Sequence, residues 1–191
     1  FNYIGNLALD NETARQIDVG IDYRFKSWSV SPRLFYQDIE DYITGSPSMN
    51  MAANMVSTMM AGTTPFQWTN TDAVIKGADL TVSGNVFDNV KLNAVAAVQL
   101  GNRDDIDDAL FRIAPEQLIT TIQWNTQLLN APMALQLTSE LAGAQTHVSA
   151  LQNETTTAGY GLVHITGLFT LIDNAQSNLQ VTATVHNLFD K

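Results

Sequence analysis

Apolar and polar side chains alternate with period two in eight successive stretches of the chain. Ile17, Val19, Ile21 and Tyr23 alternate with Gln16, Asp18, Gly20, Asp22 and Arg24. Trp28, Val30, Pro32, Leu34 and Tyr36 form the second apolar row, then Val74, Ala78, Leu80 and Val82, then Leu92, Ala94, Ala96, Val98 and Leu100. The second half adds Leu118, Ile122 and Trp124, then Met133, Leu135, Leu137 and Leu141, then Val163, Ile165, Phe169 and Leu171. The last row, Leu179, Val181, Ala183 and Val185, stands against Gln180, Thr182, Thr184 and His186. Successive side chains on a strand point to opposite faces, so each stretch predicts a strand with one apolar and one polar face. A helix needs apolar residues three and four apart, and no stretch has that as its dominant pattern. The prediction is an all-β chain.

Both a soluble sandwich and a membrane barrel bury one face of each strand. The runs extend over about 9 to 12 residues, against roughly 5 to 6 for an ordinary soluble strand, which matches a tilted membrane span. Connections alternate short and long. Lys26–Ser27 and Asp88–Asn89 are tight, and Asn125–Ala131 and Asp173–Asn178 moderate. Glu40–Thr71, Gly101–Arg112 and Gly143–Thr157 are long, and outer-membrane barrels show this alternation of short turns and long outer loops. Arg24, Arg33, Asp79, Lys91 and Glu140 all fall on the polar face. Lys76 alone falls on the apolar face; it is placed at a strand end, where its ammonium reaches the interface. Tyr23, Trp28, Trp124 and Phe169 flank the short turns as an interfacial girdle would. The fold predicted is an antiparallel meander of about eight long strands crossing a membrane.

Composition narrows the function. The chain has 191 residues, 9 basic against 19 acidic side chains, a net charge of −10 and no cysteine. Such acidity argues against a nucleic-acid footprint, and the lack of cysteine excludes disulfides, thiolate metal sites and a thiol nucleophile. No stretch approaches the 18 or so apolar residues of a transmembrane helix. The chain opens on Phe1 without a signal segment and reads as part of a longer polypeptide. No G-x-S-x-G turn, paired-carboxylate motif or metal-spaced histidine pair supports an enzyme, and no resident cofactor is implied.

Six motifs in order resemble those of TonB-dependent outer-membrane receptors. They are Phe1-Asn2-Tyr3-Ile4-Gly5-Asn6, with Leu9 and Glu12 following, and Phe35-Tyr36-Gln37-Asp38-Ile39-Glu40-Asp41-Tyr42-Ile43. Then come Asn70-Thr71-Asp72-Ala73 with Gly77-Ala78-Asp79-Leu80, Ile113-Ala114-Pro115, Thr157-Ala158-Gly159-Tyr160 and Asn187-Leu188-Phe189-Asp190-Lys191. Leu7, Asn11 and Asp79 depart from the family's usual proline, proline and glutamate. The resemblance implies most of the C-terminal third of a 22-stranded barrel, residues 1–191 being a partial barrel domain without its plug, TonB box or closing strand. It further implies a receptor of the Gram-negative outer membrane, embedded in lipid, coupled to the TonB complex through the plug and taking up a scarce solute such as a metal ion or metal chelate.

Candidate ligand residues follow from chemistry. Met49, Met51, Met55, Met59 and Met60 crowd one long loop, and thioether sulfur suits Cu(I). The same region resembles the copper-receptor branch, though methionines also serve as adaptable apolar filler. His147 lies in a loop open to solute; His164 and His186 lie on polar strand faces and line the lumen, as ligands or as hydrogen-bonding wall residues. The run Asp104-Asp105-Ile106-Asp107-Asp108 could hold calcium or bridge lipopolysaccharide, but it lacks the EF-hand glycine and glutamate and reads as a solvated loop. The metal itself is not identified by these residues. Two other architectures fit the alternation: a complete eight-stranded outer-membrane barrel with a structural or lipid-modifying role, and a soluble β-sandwich used in adhesion.

Overall fold

A computed structural model describes residues 2–129 and 131–189. Phe1, Asp190 and Lys191, which belong to the first and last motifs, and Asn130 in the third short turn lie outside the described residues. The elements are β1 (Tyr3–Ile4), β2 (Thr13–Gly20), β3 (Tyr23–Phe25), β4 (Trp28–Pro47), α1 (Met51–Ala61), β5 (Phe66–Phe87), β6 (Val90–Arg103), β7 (Gln117–Leu128), β8 (Ala131–Ala142), β9 (Tyr160–Asp173) and β10 (Asn178–Val185). One sheet runs β10-β9-β8-β7-β6-β5-β4-β2, with β3 on β4 and β1 on β5. Neighbouring long strands are antiparallel and joined in sequence order, a meander whose ends, β2 and β10, stay open. The fold is the predicted partial barrel wall.

Register bears out the facing except at Leu171, which falls at a bulge so that Ile172 stands opposite Leu179. Leu92, Ile122, Leu137, Ile165 and Val185 form one continuous row across five strands. One residue along, Asn93, Thr121, Thr138 and His164 form the matching polar row. Side chains of the polar face bond to one another: Thr121 and Thr138 hydroxyls lie 3.1 Å apart, and Gln136 Nε2 donates to Gln123 Oε1 at 3.0 Å. Near the short turns the Trp28 ring lies flat over Gly84, where a Cβ would collide with it.

Several boundaries differ from the sequence reading. The first stretch is split into β2 and β3 opposite Pro32, which has no N–H to give the ladder; Ile21 N–H instead donates to Pro32 O at 3.1 Å. The turn between β7 and β8 is tight, because β7 continues to Leu128. Glu40–Thr71 is not a loop throughout. β4 and β5 pair as far as Pro47 and Phe66, so the hairpin rises well beyond the neighbouring strands. Lys76 is consequently mid-strand rather than terminal, opposite Tyr36 and Leu100. Two residues of β4, Glu40 and Asp41, stand against one of β5 at a bulge where Asp41 has φ 59°. Aspartate tolerates this left-handed conformation better than most side chains.

The remaining connection is a helix, so the chain is not wholly β. Asn50 caps α1 by accepting the Ala53 N–H at 3.1 Å, and Gly62 ends it at φ 68° with its N–H on Thr58 O. Apart from Gly167, the buried residues cluster at the loop end of the sheet. They include Ile39, Ala73, Ala109, Leu110, Ser149 and Gln152.

Candidate ligand-facing surface at the loop end

Three long connections and the raised hairpin meet at one end of the sheet. The second connection, 104–116, is tied to the third, 143–159, by two carboxylates. Asp108 Oδ2 accepts the Ser149 hydroxyl at 2.6 Å, and Asp108 Oδ1 accepts the Ala150 N–H at 2.8 Å. Glu154 accepts the Arg112 N–H at 3.1 Å and the Ser149 N–H at 2.9 Å. Gln145 Nε2 donates to Ile113 O, and backbone bonds in both directions join Gln145 to Thr157. Leu110, 1% exposed, is the apolar centre around which these ties close.

The same body is anchored to the hairpin. Gln152 Nε2 donates to Thr44 Oγ1 at 2.9 Å, and Arg103 donates to Ser46 Oγ at 3.1 Å. Arg103 also grips Asp105 with two nitrogens, at 2.8 and 2.6 Å. That hydrogen-bonded guanidinium holds the Asp105 carboxyl at a pKa of about 2, against some opposing effect of burial. Burial, helped by the Glu12 charge, raises the Tyr42 phenol. Two of the four carboxylates of the acidic run, Asp105 and Asp108, are therefore committed to structure. Among the described residues no group of three or more His, Asp or Glu side chains is placed to hold a metal ion.

Helix α1 stands apart from this network. Met51, Met55 and Met59 recur every fourth residue and share one face, adjoined by Val56 and Met60. All five methionines of the region, Met49 included, are strongly exposed, 63% at the least for Met55. The polar ties of α1 to the chain are few: Asn54 donates to Ser48 O at 2.7 Å and Ser57 to Thr63 O at 2.9 Å, while Val56 and Met60 border a concavity with Tyr3 and Ile4. Met60 borders a concavity with Tyr3, Ile4 and Pro65, and all five side chains are open to solvent within the described chain. They present a thioether surface.

The histidines are placed separately. His147 is half-buried, with Nε2 2.7 Å from Asn102 Oδ1. His164 and His186 lie on the polar face of β9 and just beyond β10, their rings 5.2 Å apart in an edge-on arrangement. His164 Nδ1 accepts the Asn187 N–H at 3.2 Å, which leaves the proton of the neutral ring on Nε2, 3.5 Å from Glu140 Oε1. Binding a metal through Nε2 would break that arrangement, since a ligating histidine normally donates through its other nitrogen. Residues that sequence reading passed over are Asp108, Glu154, Ser149 and Gln152 as ties, and the stacked Tyr3 and Trp68 rings, 4.6 Å apart, that pin β1 to the hairpin. Between the hairpin tip and the third connection lies a cleft of about 620 Å³ lined by Asn2, Thr63, Thr64, Phe66, Leu151 and Asn153.

Comparison with known proteins places this architecture. A family model described as "TonB dependent receptor-like, beta-barrel" matches residues 1–188. The ferric enterobactin receptor PirA of Pseudomonas aeruginosa is 23% identical over 98% of this chain and 25% of its own length. Among solved structures, the copper transporter OprC superposes with a TM-score of 0.78 at 21% identity, over 97% of this chain and 27% of that one. The FrpB iron transporter of Neisseria meningitidis superposes with a TM-score of 0.67 at 12% identity, over 99% and 29%. The chain spans about a quarter of the length of these relatives.

Proposed function

Since the chain belongs to the TonB-dependent receptor β-barrel family, we propose that it forms the wall and outer loops of an outer-membrane uptake receptor whose solute is a metal cation. In this reading the apolar face meets lipid, the polar face lines the lumen, and the TonB complex acts through a plug domain. The observation that carries the choice of solute is the charge of the loop end. Asp10, Glu12, Asp41, Asp72, Asp104, Asp107 and Glu116 add to the carboxylates already used as ties, and only Arg103 and Arg112 oppose them in residues 2–12, 41–73, 101–116 and 143–159. Such a field raises the local concentration of cations and repels anionic chelates within about a Debye length, roughly 8–10 Å. Met51, Met55 and Met59, with successive Cα atoms about 6 Å apart along α1, then supply soft ligands that favour Cu(I) over hard cations.

The test uses the full-length receptor. Replacing Met51, Met55 and Met59 by leucine keeps the apolar volume and removes the sulfur. The reading predicts weaker binding of Ag(I), a redox-stable substitute for Cu(I), and slower copper accumulation by cells. Unchanged binding and uptake would remove α1 from the account. A second reading is favoured by the 620 Å³ cleft, whose lining offers amides and hydroxyls without charge and whose size suits a small organic ligand. It predicts uptake of an uncharged metal chelate, sensitive to Thr64→Trp and indifferent to the methionines.

A further inference from the structure

Five of the six methionines of this chain stand on or beside α1, and the sixth, Met133, is half-buried in the wall on β8 opposite Phe169. The five are exposed from 63% at Met55 to 91% at Met49. With no cysteine in the chain, a thioether is the most readily oxidised side chain that a solvent-borne oxidant meets here. Attack follows exposure of the sulfur, so it falls on α1 first and on Met133 last.

What holds α1 in place contains no sulfur. Asn50 and Gly62 close its ends, Asn54 and Ser57 tie it to Ser48 and Thr63, and Asn2 Nδ2 donates to Ser57 Oγ at 3.3 Å. Met51, Met55 and Met59 recur every fourth residue on the open side of the helix. A core methionine that becomes a sulfoxide carries a polar S=O into apolar packing and disrupts it, whereas on this face the new oxygen meets water. The fold therefore tolerates the change while the chemistry of the face is reversed. A thioether offers soft sulfur to a monovalent cation; a sulfoxide offers mainly a hard oxygen.

We infer that Met51, Met55 and Met59 form a methionine-sulfoxide switch, in which oxidation by peroxide turns off capture of a soft cation and leaves the loop end folded. The switch rests on the soft-ligand role proposed for α1. In each step the thioether sulfur gives two electrons to hydrogen peroxide and the O–O bond breaks. One oxygen forms the S=O bond and the other leaves as water. The experiment treats full-length receptor in nanodiscs with graded hydrogen peroxide, following each methionine by peptide mass spectrometry and Ag(I) affinity by titration. Oxygen should be added within residues 49–60 well before Met133. Ag(I) affinity should fall several-fold in step with oxidation of Met51, Met55 and Met59, with the heat-shifted band on gels unchanged. Methionine sulfoxide reductases for both epimers, with dithiothreitol as reductant, should restore the affinity. The receptor carrying Met51→Leu, Met55→Leu and Met59→Leu should start at low affinity, and peroxide should lower it no further. Oxidation of Met133 as early as α1, loss of the heat-shifted band, or full Ag(I) affinity in receptor oxidised at all three positions overturns the switch and leaves the soft-ligand reading standing. Untreated wild type that binds Ag(I) no better than the triple variant overturns both.

Discussion

The wall and the loop end of this protein are stabilised by opposite means. In the wall each strand binds its sequence neighbour, polar side chains pair locally, and scarcely any residue is buried within the segment. At the loop end the contacts are distant in sequence, the buried residues include Thr44, Ser149 and Gln152, and two carboxylates take the place of a ladder. The wall needs lipid on one side to define its faces. The loop end carries its own small core and so forms a platform shaped by its own contacts. Helix α1 is a third case, capped at both ends yet with its apolar face unpartnered.

The sharpest way to break the comparison is to hollow the platform. Leu110→Ala removes its most enclosed side chain and should cost about 2–5 kcal/mol locally. Hydrogen exchange should rise in 104–116 and 143–159 and stay unchanged in β6–β9; a loss of exchange protection spread through the wall would mean the two regions are one cooperative unit. Next in size is a facing test within the wall. Ile122→Arg puts a charge in the middle of the apolar row at a cost of roughly 2–4 kcal/mol and should block assembly, whereas Thr121→Arg, one residue away, should assemble. Similar yields of heat-modifiable receptor would contradict the register.

Smaller effects sharpen the account. Asp108→Ala strands the Ser149 hydroxyl and the Ala150 N–H, at about 1–3 kcal/mol, and should free the third connection to proteolysis while leaving assembly intact. The smallest effect is acid release of the Arg103–Asp105 grip. Because the folded carboxyl has a pKa of about 2 against an ordinary 3.8, its contribution is complete above 3.8 and is lost as pH falls through about 2. NMR of a labelled Asp105 should show no titration above pH 4, and a midpoint at or above 3.8 would show the grip absent.

Legibility followed the same division. Strand facing was plain in rows such as Leu179, Val181, Ala183 and Val185, because a period of two records burial on one side directly. The rise of β4 and β5 beyond their neighbours was hidden, since Tyr42, Ile43, Trp68 and Asn70 do not alternate cleanly through the Asp41 bulge. α1 carried a readable signal, Asn50 and Gly62 bracketing methionines four apart, which a short segment apolar on its outward side obscured. The ties at the loop end had no local signature. Gln152 and Thr44 lie 108 positions apart, and Asp108 and Ala150 lie 42 apart. The rings of Tyr3 and Trp68 meet only because β1 runs parallel along the hairpin.

The platform of 104–116 and 143–159 is built in advance, and α1 stands beside it with its methionines exposed. Hydrogen–deuterium exchange of the full-length receptor without solute measures this directly. Amides of Ser149, Ala150 and Glu154 should exchange as slowly as those of β7 and β8, with the outward-facing turns of 51–61 faster. Exchange of those three amides at the rate of an open loop would contradict the account.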